Sequence, residues 1–225
     1  MLLRDHDTSL AQDFPLLRRR RLMGLVGGTT VATLATAALS GPAGAAAASP
    51  SATPITVRRS GVIRSDIRRS FGKASGVARG VPLTVRLLLL RDGRPAAGLA
   101  VYLWHADREG RYSLYDPALP TENYLRGIQA ADESGWVEFT TVFPGAESGR
   151  RRPHLHVEVF RDASDATLAS GRLMSSRIAL PDDICRRIYT TPGYETSRLN
   201  LGRPAPSSGP VASVHGDLAT ATLVI

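Results

Sequence analysis

The sequence predicts an all-β fold, an antiparallel β-sandwich with long active-site loops. Two observations predict it, and a third says what must hold it together. Short runs alternate apolar and polar residues with a period of two, the signature of half-buried strands. Clusters of Gly, Pro and Asp separate those runs, as turns do between antiparallel strands. Cys185 is the single cysteine, so no intrachain disulfide can hold the fold and a hydrophobic core must do so.

The elements follow in order. Residues 81–90, VPLTVRLLLL, read as a strand, and 91–95, RDGRP, as a turn. Residues 100–106, AVYLWHA, read as a second strand, ended by 107–110, DREG. Residues 136–142, WVEFTTV, alternate after the turn 132–135, DESG. Residues 155–160 form a fourth strand and 219–225 a closing one. Residues 181–188, PDDICRRI, suit a short helix with Asp182 near its N-terminus. Cys185, between Ile184 and Arg186, reads as a buried thiol. Long connections at 107–130, 143–153 and 181–215 are of a length that usually serves function.

The first fifty residues do not belong to this pattern. Arg18–Arg21 precede Leu22-Met23 and an apolar, Gly/Ala-rich stretch to Leu39, and Ala43–Ala48 offer small-residue cleavage sites. Residues 1–48 therefore read as an export signal, and the paired arginines resemble a twin-arginine leader. Residues 49–56 read as a Ser/Pro/Thr linker, leaving 57–225 as one domain. The expected location is secreted or cell-envelope, with the membrane involved only through the signal.

The chain has 28 Lys+Arg against 20 Asp+Glu, a formal charge of +8. No basic run is interleaved with aromatics, which argues against a nucleic-acid partner. The charge suits solubility or anionic surfaces and substrates.

The most specific chemistry lies at 150–160, RRRPHLHVEVF. In a strand, His154 and His156 share one face while Leu155, Val157 and Val159 occupy the other. Two imidazoles on one face can clamp a single iron, zinc or copper ion. A pair of exposed strand histidines with no ligand satisfies the same spacing.

Three ordered segments narrow the choice: LWHADREGRYS at 103–113, NYLRGIQAADESG at 123–135, and FTTVFPG at 139–145 leading into RRPHLH at 151–156. Together they resemble the intradiol ring-cleavage dioxygenases, in particular the exported branch, over about 80–225. The tail 180–194, with LPDDIC and IYTTPGY, is similar to the family's segment after the site.

The resemblance implies a mononuclear non-haem Fe(III) cofactor, a catechol-type aromatic diol and O2 as substrates, and ring opening between the two hydroxylated carbons. It implies Tyr112, His154 and His156 as iron ligands and Arg151 as a substrate-site arginine, with Arg150 or Arg152 as alternatives. Gln129 is a candidate for facing the substrate, and Arg126 for tying down its loop.

The sequence departs from the family at one place. A second ligand tyrosine is expected after the Pro144-Gly145 turn, but Glu147 or Ser148 stands there, depending on the count. Glu147 can replace the tyrosinate as anionic ligand and base. Alternatively Tyr115 or Tyr124 swings in, or the protein is an inactive metal- or catechol-binding relative. His105 reads as a satisfied core histidine, and His215 has no assigned role.

Overall fold

The computed structural model describes residues 10, 11, 13, 61–148, 152–202 and 209–225. The basic run and apolar stretch of the export signal, the linker 49–56, and Arg150 and Arg151 lie outside them. Two sheets face each other. The first holds β1 (Pro82–Arg91), flanked by β5 (Trp136–Val142) and β9 (Leu218–Val224), with β8 (Ser213–His215) beyond β9 and the two-residue β2 (Arg94–Pro95) on the end of β1. The second has the order β4-β3-β6-β7: Arg126–Ala130, Ala100–Trp104, His154–Phe160 and Arg172–Ala179. Among these nine strands every pairing is antiparallel except β1 with β9, which run parallel from Thr84↔Leu218 to Leu90↔Val224.

Alternation positions the core. Leu83, Val85, Leu87 and Leu89 of β1 meet Val101 and Leu103 of β3 and Leu155, Val157 and Val159 of β6 between the sheets. The other face of β6 carries His154, His156 and Glu158, and this face is covered too, so all seven residues of the strand are buried. Residues 61–70 close the sandwich by bridging both sheets, Ile63 to Ile128 and Asp66 to Thr140.

Three short helices lie in the connections: α1 (Ala163–Leu168), α2 (Asp182–Ile188) and α3 (Glu195–Asn200). The side chain of Asp162 caps α1 by accepting from the Asp165 amide. Helix α2 falls where the acidic start and basic end of PDDICRRI place it. Cys185 is buried on it, and burial pushes its thiol up to about 12, which leaves it protonated and unreactive.

Candidate metal centre

His154 and His156 project from β6 onto the outer face of the second sheet. Their Nε2 atoms lie 2.9 Å apart, and Tyr112 Oη lies 3.2 Å from His156 Nε2. All three side chains are buried, at 3–7 % exposure. The His154 Nδ1 contact at 2.8 Å is with the Arg152 carbonyl, which can only accept, so Nδ1 carries the proton and Nε2 presents its lone pair to the cluster. Metal-ligating imidazoles are fixed in this way by a second hydrogen bond. The His156 ring is held flat against Trp104, its partner across the β3–β6 ladder, with centroids 4.7 Å apart and planes 8° from parallel.

Tyr112 comes from the loop after β3, and the loop is built by its own carboxylate. Asp107 Oδ1 accepts from the amides of Glu109 and Arg111, while Oδ2 accepts from the Arg111 guanidinium. Gly110 turns the chain at φ +82°, and a Cβ there would stand 2.2 Å from the Ala146 carbonyl oxygen. Arg126 fixes the far side of the tyrosine, donating from Nε to Ser113 Oγ and from Nη2 to the Ser113 carbonyl. Arg126 was expected to tie down its own loop; it stands instead on β4, and the segment it ties is the one next to Tyr112.

The 143–148 loop carries the position where a second tyrosine was expected. Ser197 of α3 clamps it, accepting from the Ala146 amide and donating to the Arg108 carbonyl. Tyr189 and Tyr194 donate to the carbonyls of Pro144 and Phe143. The tail tyrosines thus act as struts for this loop, a role that sequence patterning did not reveal because their partners are backbone atoms some fifty residues away. Glu147 is turned inward, with Oε1 shielded from solvent, whereas Ser148 is exposed.

Other expected residues are placed differently. Gln129 pairs with Val101, on the inter-sheet side of β4, so it stands on the face opposite His156 and is half-buried. Tyr115 gives its hydroxyl to Asp13, and Tyr124 packs with Ala78, Leu119, Leu125 and Val142. Arg151 lies outside the described residues. Arg152 pairs with Asp182 at 3.1 Å and serves the cluster through its carbonyl. His105 is a core histidine, bonded through Nδ1 to the Ala106 carbonyl and through Nε2 to Thr141 Oγ1; burial lowers its pKa to about 4. His215 sits exposed on β8.

The arrangement defines a β-sandwich with a buried phenol–imidazole–imidazole donor cluster at the covered face of one sheet. No group of three or more His, Cys, Asp or Glu is assembled among the described residues; the third donor here is a tyrosine.

Comparison with known proteins agrees with this fold. Residues 64–163 match the family model described as "Dioxygenase". A chlorocatechol 1,2-dioxygenase of Rhodococcus opacus is 38 % identical over 53 residues, covering 24 % of this chain and 21 % of the relative. A catechol 1,2-dioxygenase of Acinetobacter lwoffii is 41 % identical over 54 residues, covering 24 % and 17 %. The aligned stretches thus span about a fifth of those curated relatives. In structure, an intradiol ring-cleavage dioxygenase of Tetranychus urticae superposes with a TM-score of 0.57 at 22 % identity, over 72 % of this chain and 86 % of that one. Over residues 64–163 the chain is similar to the dioxygenase family, and its fold is that of the intradiol ring-cleavage dioxygenases.

Proposed function

We propose that the protein is an exported, Fe(III)-dependent dioxygenase that opens catechol-type diols between their hydroxylated carbons with O2. The observation that carries this reading is the convergence of Tyr112 Oη and His154 Nε2 on His156 Nε2, at 3.2 and 2.9 Å. A phenolate oxygen with two imidazoles fits Fe(III): the oxygen is a hard anionic donor, and the imidazoles are borderline. When bound, Fe(III) would supply the Lewis acidity that draws a diol into its anionic form and prepares it for O2.

The chain's own residues do the rest. Tyr112 gives up its hydroxyl proton to ligate. His154 keeps its proton on Nδ1, against the Arg152 carbonyl, so Nε2 stays available. Trp104 holds the His156 ring in plane and helps exclude water. Glu147, buried on its clamped loop, takes the place of the missing tyrosine and accepts a proton from the incoming diol at its carboxylate. Arg151 serves as the cation that offsets negative charge developing on the substrate.

A second reading is favoured by one observation: no tyrosine follows the Pro144-Gly145 turn. On that reading the same cluster binds metal or a catechol without turnover.

The experiment is the visible spectrum and iron content of the untagged protein, with and without catechol under anaerobic conditions, followed by admission of O2. A tyrosinate-to-iron band that shifts with catechol, and substrate loss on adding O2, support the dioxygenase. A band that shifts with no O2 uptake supports the binding protein. A folded protein with no iron and no band overturns both. In the first case, Glu147→Gln should keep iron and lower turnover at least about 100-fold, the usual scale for a general base.

A further inference from the structure

Residues Leu10, Ala11 and Asp13 form a helical turn, and Leu10 and Asp13 are completely buried on the domain. They precede the arginine run of the expected leader, yet they dock on the same face of the second sheet as the histidines. The Leu10 side chain joins the apolar layer of Tyr102, Trp104, Ile128 and Phe160, and its amide donates to Glu158 Oε2 at 2.9 Å. Arg172 holds the other oxygen of Glu158 at 2.5 Å.

Asp13 meets three donors from three parts of the chain: Tyr102 Oη on β3 at 2.5 Å, Tyr115 Oη after the Tyr112 loop, and Arg126 Nη1 on β4. These donors are held by other contacts as well. Arg126 is fixed by Ser113 through Nε and Nη2, and its Nη1 donates to Tyr102 Oη at 2.9 Å. Tyr102 stacks on Trp104 at 5.0 Å, and Trp104 stacks on His156. A guanidinium with no exposure and two phenols aimed at one point make a preformed anion socket. A buried cation left without its anion is strongly unfavourable, so the socket demands an occupant. Neither the iron ligands nor the residues assigned to turnover account for it.

We propose that Arg126, Tyr102 and Tyr115 form a carboxylate-binding site beside the histidine cluster, filled in the full chain by Asp13 and available to a monocarboxylate when residues 10–13 leave it. The two-point geometry of a carboxylate explains why Tyr115 reaches Asp13 Oδ1 while Tyr102 and Arg126 reach Oδ2. Through Ser113 and Trp104, the socket abuts both Tyr112 and His156, so its occupancy bears on how the cluster is held.

The test uses the full chain. Asp13→Ala should melt about 10 °C below the unaltered protein, the scale for stripping one partner from a buried ion pair in a chain of this size. Sodium acetate should raise the melting temperature of Asp13→Ala saturably, while sodium chloride at equal ionic strength and the neutral isostere acetamide should not. Acetate should leave the unaltered protein unchanged. Equal melting of the two proteins, or an acetate effect matched by chloride, overturns the proposal. If Asp13→Ala does not fold, hydrogen exchange on the unaltered chain decides. The Leu10 amide should be protected and should lose protection in Tyr115→Phe; an unprotected Leu10 amide in the unaltered chain overturns the proposal.

Discussion

Strands β1 and β6 are each flanked by two neighbours at the centre of their sheets, and they treat their outer faces in opposite ways. Along β1, buried residues alternate with half-exposed ones: Leu83, Val85, Leu87 and Leu89 point inward, while Thr84, Arg86 and Leu88 point outward. Along β6 every residue is buried. The inner faces do the same work, since both supply branched side chains to one core. The outer face of β1 stays half-exposed among the described residues. The outer face of β6 is finished by the Tyr112 loop, α1, Val62 and Leu10. Cover is what converts two strand histidines into a site. Under it, donor atoms lose competing water and electrostatic interactions strengthen.

The contrast can be broken from either side. The largest effect should come from the covered face. His156→Ala removes the donor shared by Tyr112 and His154 and is expected to abolish stoichiometric iron and turnover, read by metal analysis and O2 uptake. The protein should keep its far-ultraviolet circular dichroism, because Val157 and Leu155 on the other face still hold the strand. Retained iron at one per chain would show that the cluster is not the metal site.

On the inner face, Leu87→Ala should destabilise by about 2–5 kcal/mol, the range for a buried leucine that leaves a cavity, measured by denaturant midpoint. Iron per folded chain should not change. A selective loss of iron there would mean that core and site are not separable as the two faces suggest.

A pH titration sharpens the comparison for His105, which sits between the faces. Its folded pKa of about 4 lies below the ordinary 6.5 because burial penalises the charged ring. The unfolded chain therefore takes up the proton first. The stability carried by the neutral ring is complete above about pH 6.5 and is lost as the pH falls toward about 4, a contribution of about 3 kcal/mol. His105→Gln should flatten that part of the stability curve. An unchanged slope between pH 6.5 and 4 would show that another group governs it.

The smallest effect is expected on the outer face of β1. Glu138 sits 3.4 Å from Arg86 with over half of its side chain in solvent. Glu138→Ala should change stability by less than about 1 kcal/mol and leave iron uptake intact. A larger loss would mean that this face is covered by something in solution.

Strands with a clear period of two were legible in the sequence. The run 136–142 became β5 at the expected bounds, and the fourth strand gained only His154. The strands that escaped notice lack such a signal. β4, RGIQA, opens on a charged residue whose burial depends on Ser113, Tyr102 and Asp13. β7 is an edge strand with a largely polar exposed side, and β8 has three residues. Helix α2 was readable from its charges, whereas α1 and α3 are six residues each, too short for a helical period to show.

By itself, the sequence determined that His154 and His156 share a face, because strand geometry allows nothing else for an i, i+2 pair. It also determined that a core rather than a disulfide holds the domain, since there is one cysteine. Its motifs also singled out Tyr112, but only the tertiary structure decided that Gln129 stands behind the sheet, and that Glu147 turns inward where Ser148 does not. It alone brought Asp13 to Arg126, 113 residues away in the chain. Local periodicity sets the direction in which a side chain points. What it meets there depends on loops and strands distant in sequence, and that information exists only once the sheets have closed.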